Sequence, residues 1–325
     1  MDWQYFVDAN SGTILHKFNR LMDVTGNGDV YPTHPGLSSV TNKSLQRLNN
    51  SGYLRGDYAY VVNDDGAEAQ SATYSFQYSP GNTHFDEVNL YYHIDDFRVG
   101  FINGIGGFNL NFTQITAHAH ANDTYYGDLN AWFFPSTEEI YFGDAASSSS
   151  YNDFAKEDKV IHHEYSHAVI YDIQSGIESS HNEEGAISEG TPDYWAGSFT
   201  GRSVIGDYVG FNRDMENPEY DQYDDLPTDG QGNITVEAHD GGEFFSSILW
   251  DLRNNISGSA TDELVFDAFY RVTGSPDFLS FRDAMMAADD AANGGGLSRC
   301  DSSCLCNEWS KPSVPRRFDV RAGPA

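Results

Sequence analysis

Apolar and polar positions follow two periods along this chain. Up to about residue 153 most segments alternate with period two; beyond it they follow helical spacing. Gln4–Leu15 reads as strand, turn and strand, with Asn10-Ser11-Gly12 as the turn. A lone hairpin is marginal in water, so this one is expected to belong to a domain that begins upstream. Asp23–Gly36 is rich in Gly, Asn, Asp and Pro and reads as a linker. Alternation returns with Tyr58, Tyr60 and Val62 and with Tyr74, Phe76 and Tyr78, predicting strands joined by aromatic cross-strand pairs. Asn82–Gly100 carries Phe85, Val88 and Ile94 at helical spacing. Strands are expected again at Phe112–His120, Asn130–Phe134 and Ile140–Phe142, followed by helices at roughly 154–175, 183–198, 239–256, 261–273 and 278–291. No internal repeat is evident. A β-rich part followed by a helical part is an α+β arrangement, expected to form two lobes.

Charge narrows the partners. Forty-nine acidic against eighteen basic residues leave a net charge of −31, which repels nucleic acid and anionic membrane surfaces. Neither is expected as a partner, and no apolar run approaches the roughly 20 residues that span a bilayer. Some of the carboxylates could hold Ca²⁺, although none can be assigned to a calcium site. Cys300, Cys304 and Cys306 crowd into the tail, and their odd number prevents full internal pairing. The first residues have neither the basic nor the apolar region of a signal peptide.

The chemistry concentrates at Val160–Ile170, which contains H-E-x-x-H as His163, Glu164 and His167. Residues four apart lie one above the other on a helix, so both imidazoles can reach one metal ion. Glu164 lies one step round, where it can act as a base without being a ligand. His162 points about 100° away from His163 and should face elsewhere. A catalytic zinc takes three protein ligands and keeps one position open. A third His at the metzincin offset would fall on Ile173, so that solution is excluded. Glu189 is the best third ligand. Asp193 follows four residues later on the same face and can accept the N–H of a ligating His. Glu183, Glu184 and Glu189 could otherwise be a solvated acidic face. His118 and His120 alternate along one strand without a third ligand nearby and read as half-exposed strand histidines. His16, His34, His84 and His93 read as structural.

His163-Glu164-x-x-His167 with Gly185-Ala186-Ile187-x-Glu189-x-x-x-Asp193 resembles the thermolysin-like gluzincins, and Glu-Gly-x-x-Asp-Tyr leans toward the fungalysin branch. Asn130-Ala131-Trp132-Phe133 followed by Tyr141-Phe142-Gly143-Asp144 is similar to that family's edge strand, which pairs with the substrate backbone. The resemblance makes Asn130 and Ala131 substrate-binding. It also places Arg213, in Arg213-Asp214-Met215-Glu216-Asn217-Pro218, at a substrate carbonyl. Ala238–Phe244 resembles the segment whose histidine stabilises the tetrahedral intermediate, here His239. The opening hairpin resembles the end of a PepSY-type propeptide.

Two departures stand out. The family's phenol should precede Glu183, but Ser179, Ser180 and His181 occupy that place; its role could pass to Tyr194, to His181 or to nothing. The carboxylate expected to orient His239 is replaced by Ile234, with Glu237 or Asp229 as substitutes.

The resemblance implies a two-lobed thermolysin-like α+β fold. The expected parts are a propeptide tail (1–24), a linker (25–52), a β-rich lobe with the motif helix (53–176), a helical lobe with the third ligand (177–297) and a Cys-containing tail (298–325). It further implies a secreted zinc endopeptidase made as a zymogen. One catalytic Zn²⁺ is held by His163, His167 and Glu189, with Glu164 and His239 catalytic. The partners are protein or peptide substrates and the chain's own propeptide. The rival readings are a proteolytically silent zinc-binding module and a gluzincin aminopeptidase.

Overall fold

The computed structural model describes residues 3–294, apart from residues 8, 10–11, 13, 20–22, 125–126, 147–149, 178–181 and 232. Ser179, Ser180, His181 and the three cysteines lie outside the described residues. Chain contacts divide it into two compact units, Met1–Ile173 with Ile205–Asn212, and Gln174–Val204 with Arg213–Ala325. Strands dominate the first and helices the second. This is the α+β arrangement expected, and among the described residues no helix is long and apolar enough to cross a membrane.

In the first unit, β1 (Trp3–Val7) and β2 (Ile14–Asn19) form the expected antiparallel hairpin. The segment read as a linker is instead structured. Its residues Val24–Val30 form β3, which pairs antiparallel with β4 (Thr41–Leu48) and parallel with the two-residue β6 (Ser75–Phe76). The glycines that suggested a linker are there for close approach. A Cβ on Gly26 would meet the Tyr74 carbonyl, and one on Gly28 would meet Val88. The expected pairing of the Tyr58–Val62 and Tyr74–Tyr78 segments does not form. β5 (Ala59–Asn63) instead belongs to a four-stranded sheet of order β5-β7-β9-β8, with β7 at Ile115–Ala119, β8 at Ala131–Phe134 and β9 at Glu139–Phe142. Only β8 runs antiparallel to its neighbour.

Helices α1 (His84–Phe97) and α2 (Asp158–Ile173) contact this sheet. They cover the face that carries Val61, Ala117, Ile140 and Phe142, all buried. α2 begins just after a short 3-10 helix, Phe154–Lys156. The second unit packs α3 (Glu183–Thr200), α4 (Ala238–Asn255), α5 (Gly258–Phe269) and α6 (Phe278–Asn293) around Trp195, Phe245, Phe266 and Phe269, all at most 1% exposed.

His120 is buried, not half-exposed as its alternation with His118 suggests. β7 ends at Ala119, and His120 takes a positive φ of 61°, so its ring leaves the strand face. Its Nδ1 lies 2.7 Å from Asp144 Oδ1 and its Nε2 2.7 Å from the Thr83 carbonyl. Acceptors on both sides mark an imidazolium that donates twice, not a metal ligand, although Asp86, His120 and Asp144 are close enough to share a cation. Lys156 supplies the second positive charge, 3.3 Å from Asp86 and 2.6 Å from Asp153. Burial opposes the charged ring. The bonds to Asp144 and Thr83 and the nearby carboxylates outweigh it, raising the pKa to about 9. Burial and the Asp153 charge raise Asp86 to about 8.

The signs agree. His120 stabilises the fold below its ordinary pKa and loses that contribution as pH rises through about 9. Asp86, neutral in the fold to about pH 8, penalises folding as the unfolded carboxyl ionises first. Denaturant unfolding should therefore show stability falling between pH 6.5 and 9.5. His120→Gln should cost up to about 3 kcal/mol at pH 6 and little at pH 9.5.

Candidate metal centre

α2 forms because Asp158–Ile173 lacks Gly and Pro, and the helix is buried on most sides, with Val160, Ile161, Ala168, Val169 and Ile170 among its buried residues. Its start is pinned within the first unit. The buried Glu157 carboxylate accepts backbone N–H bonds from Gly206 (2.8 Å), Tyr208 (3.1 Å) and Val209 (2.9 Å). Lys159, 1% exposed, reaches Asp207 at 3.0 Å, and His34 reaches the same carboxylate at 2.9 Å. Midway, the buried Tyr165 hydroxyl accepts from Arg98. His162 faces away from the motif, as expected, and stacks on Phe97 with centroids 4.5 Å apart.

On the remaining face His163 and His167 point at each other's Nε2, which stand 3.0 Å apart. Nitrogen ligands on one tetrahedral ion with 2.0–2.1 Å bonds are about 3.4 Å apart, so the pair has the spacing of two ligands on one ion. Glu164, beside them, is buried. Asn130 immediately precedes β8, which among the described residues is hydrogen-bonded to β9 alone, and its carbonyl accepts from Gly143 N at 2.9 Å. The edge expected at Asn130 and Ala131 is therefore present.

The second unit gathers the other predicted residues. α3 starts at Asn182, whose side chain accepts from Gly185 N at 3.0 Å. Glu189 follows on this helix, and Asp193 is buried one turn later. Arg213 grips Asp193 through Nε (2.6 Å) and Nη2 (2.7 Å), a bidentate pair that fixes the carboxylate's orientation. Arg213 is thus engaged with Asp193, an arrangement that reading it as a substrate contact did not foresee. α4 packs closely on α3 because glycines meet there. A Cβ on Gly190 would run into the Gly242 carbonyl, and one on Gly242 would come within 2.9 Å of Glu189 Cβ.

That close approach sets His239 Nε2 3.4 Å from Glu189 Oε2. Glu237 caps α4, accepting from His239 N at 2.9 Å, and also holds His239 Nδ1 at 3.0 Å. Glu237 is therefore the orienting carboxylate; Asp229 accepts bonds within its own loop from Gln231 and Asn233. The Glu189 charge, with the Glu237 bond, raises the pKa of the half-exposed His239 above its ordinary value.

Tyr194 does not replace the missing phenol. It is fully buried, and its hydroxyl donates to Asp262 at 2.7 Å. Sequence reasoning missed Glu243, which accepts from Asp214 N at 2.9 Å and ties the Arg213 segment to α4. Its position four residues after His239, on the same helix face, is the signal that could have found it.

Gly190→Ala should push α3 from α4 and cost about 1–3 kcal/mol in denaturant unfolding. Zinc affinity, read by competition with a chromophoric chelator, should fall with it.

The fungalysin metallopeptidase family (M36) matches residues 45–304. No curated protein matches the chain in sequence. Among solved structures it is similar to the precursor of protealysin, a metalloproteinase from Serratia proteamaculans. Identity is 13% and the TM-score 0.57, over 87% of this chain and 84% of that one. This likeness carries the fold alone, which is the thermolysin-like one expected. The family match, spanning most of the sequence, carries the activity: the chain belongs to the fungalysin metallopeptidases and is a zinc metalloendopeptidase.

Proposed function

We propose that this is a secreted endopeptidase whose zinc is held by His163, His167 and Glu189, with Glu164 as general base. The observation that carries the reading is the paired imidazoles of α2, Nε2 to Nε2 at 3.0 Å, in a chain of this family. Glu189 is supported as the third ligand because Glu189-x-x-x-Asp193 follows His163-Glu164-x-x-His167 in the order of the thermolysin-like gluzincins, in a chain of this family. Neutral imidazoles and a carboxylate are a fitting donor set for zinc.

Zinc, when bound, activates water and polarises the scissile carbonyl. Glu164 takes the proton of the attacking water on a carboxylate oxygen and passes it to the leaving amine nitrogen. His239, its Nδ1 held by Glu237, presents Nε2–H to the oxyanion. Asp193, held by Arg213, orients a ligating imidazole. Asn130 and Ala131 pair with the substrate backbone along the edge of β8, and Arg213 contacts the carbonyl on the leaving side. The β1–β2 hairpin is the tail of a propeptide.

Glu164→Gln should lower kcat on casein or a blocked peptide by about 10²–10⁴-fold, with one zinc still bound per chain by metal analysis. Unchanged turnover would sink this assignment. Wild-type chain should also shorten at its N-terminus on incubation with zinc, and Glu164→Gln should stay full length.

A further inference from the structure

β8 is the strand the proposed function assigns to substrate pairing, and it is short. It has four residues and one hydrogen-bonded neighbour. Strand ends of this kind open locally at low free energy. On the helix side Ala131 is buried, and the Phe133 ring lies 5.5 Å from Tyr171 of α2. On the other face the side chains form one continuous row. Trp132 stacks on Tyr141, its register partner in β9, at 5.2 Å and 4°. Tyr141 stacks on His118, its register partner in β7, at 4.3 Å and 13°. His118 Nδ1 then meets Asp64 Oδ1, just beyond β5, at 2.9 Å. The Tyr141 hydroxyl donates to Glu139 at 2.8 Å, and His118 Nε2 lies 3.6 Å from that carboxylate.

We propose that His118, Tyr141 and Trp132 are positioning residues for extended peptide substrates. Their stack ties the substrate-pairing edge strand, through Asp64, to the far side of the sheet. Backbone pairing needs β8 amides and carbonyls in register before the peptide arrives; otherwise binding must first order the strand. Stacked pairs are individually modest, but the row crosses the three strands β7, β9 and β8 and ends on a carboxylate. The helix-facing core of the same sheet does not depend on it, so its loss should act on substrate binding more than on folding.

The inference rests on the peptidase reading and is tested by two readouts. Tyr141→Leu removes both stacks, whereas Tyr141→Phe keeps them and loses only the Glu139 bond. On a blocked peptide long enough to span the strand, Tyr141→Leu should raise KM about tenfold, equivalent to about 1.4 kcal/mol, with kcat within about twofold. A blocked dipeptide should respond by at most about twofold, and Tyr141→Phe should behave like wild type.

Amide exchange over residues 131–134 should quicken about tenfold in Tyr141→Leu, with α2 exchange unchanged. Equal losses on long and short substrates, or unaltered exchange in β8, would overturn the proposal. Should wild type cleave neither substrate, the peptidase reading fails. Exchange in β8 with and without the uncleaved long peptide then decides: equal protection in wild type and Tyr141→Leu refutes the positioning role. If α2 exchange also rises in Tyr141→Leu, Trp132→Leu, which removes one ring, replaces it in both readouts under the same criteria.

Discussion

Two imidazoles whose Nε2 atoms stand 3.0 Å apart hold that geometry only if the helix carrying them cannot adjust. The first unit meets this demand by burying twelve of the sixteen residues of α2 and fixing its start with a buried carboxylate. Glu157 collects three backbone N–H groups, and Lys159 and His34 share Asp207. Arg98 braces Tyr165, and Phe97 stacks on His162. Each contact removes a way for the helix to rotate or fray, and so keeps the two imidazoles facing one another.

The second unit solves a similar problem with different chemistry. Glu189 and His239 are fifty residues apart in sequence, yet their side chains meet at 3.4 Å. Gly190 and Gly242 make this possible by letting two helix backbones touch where any side chain would separate them. Arg213 and Glu237 then orient two polar groups of this unit, Asp193 and His239.

Scarce positive charge is spent where it has most effect. With eighteen basic residues against forty-nine acidic ones, this chain places Lys156, Lys159, Arg98, Arg213 and the His120 ring inside or beside buried polar clusters. There, low dielectric makes each partner count for more than it would at the surface. The remaining carboxylates leave the chain strongly anionic.

Local signals carried far in this chain. The period change near residue 153, the five helices after it and the H-E-x-x-H spacing all depend on residues within a turn or two of each other, so they were legible without a partner. That Glu189 and Asp193 lie one turn apart on one helix was legible for the same reason. Contacts between distant segments decided the rest. Gly26 and Gly28 look like linker residues until Tyr74 and Val88 are set against them. Tyr60 joins β7 rather than the Tyr74–Tyr78 segment because strand pairing is chosen by the whole sheet. His120 turns inward only because Asp144 and Thr83 wait there. Arg213 answers Asp193, and Glu237 stands in for a carboxylate missing at its usual offset. Alternation and motif spacing tell which face a residue belongs to; what that face meets is set by the packing of chain segments whose sequence separation leaves no periodic trace.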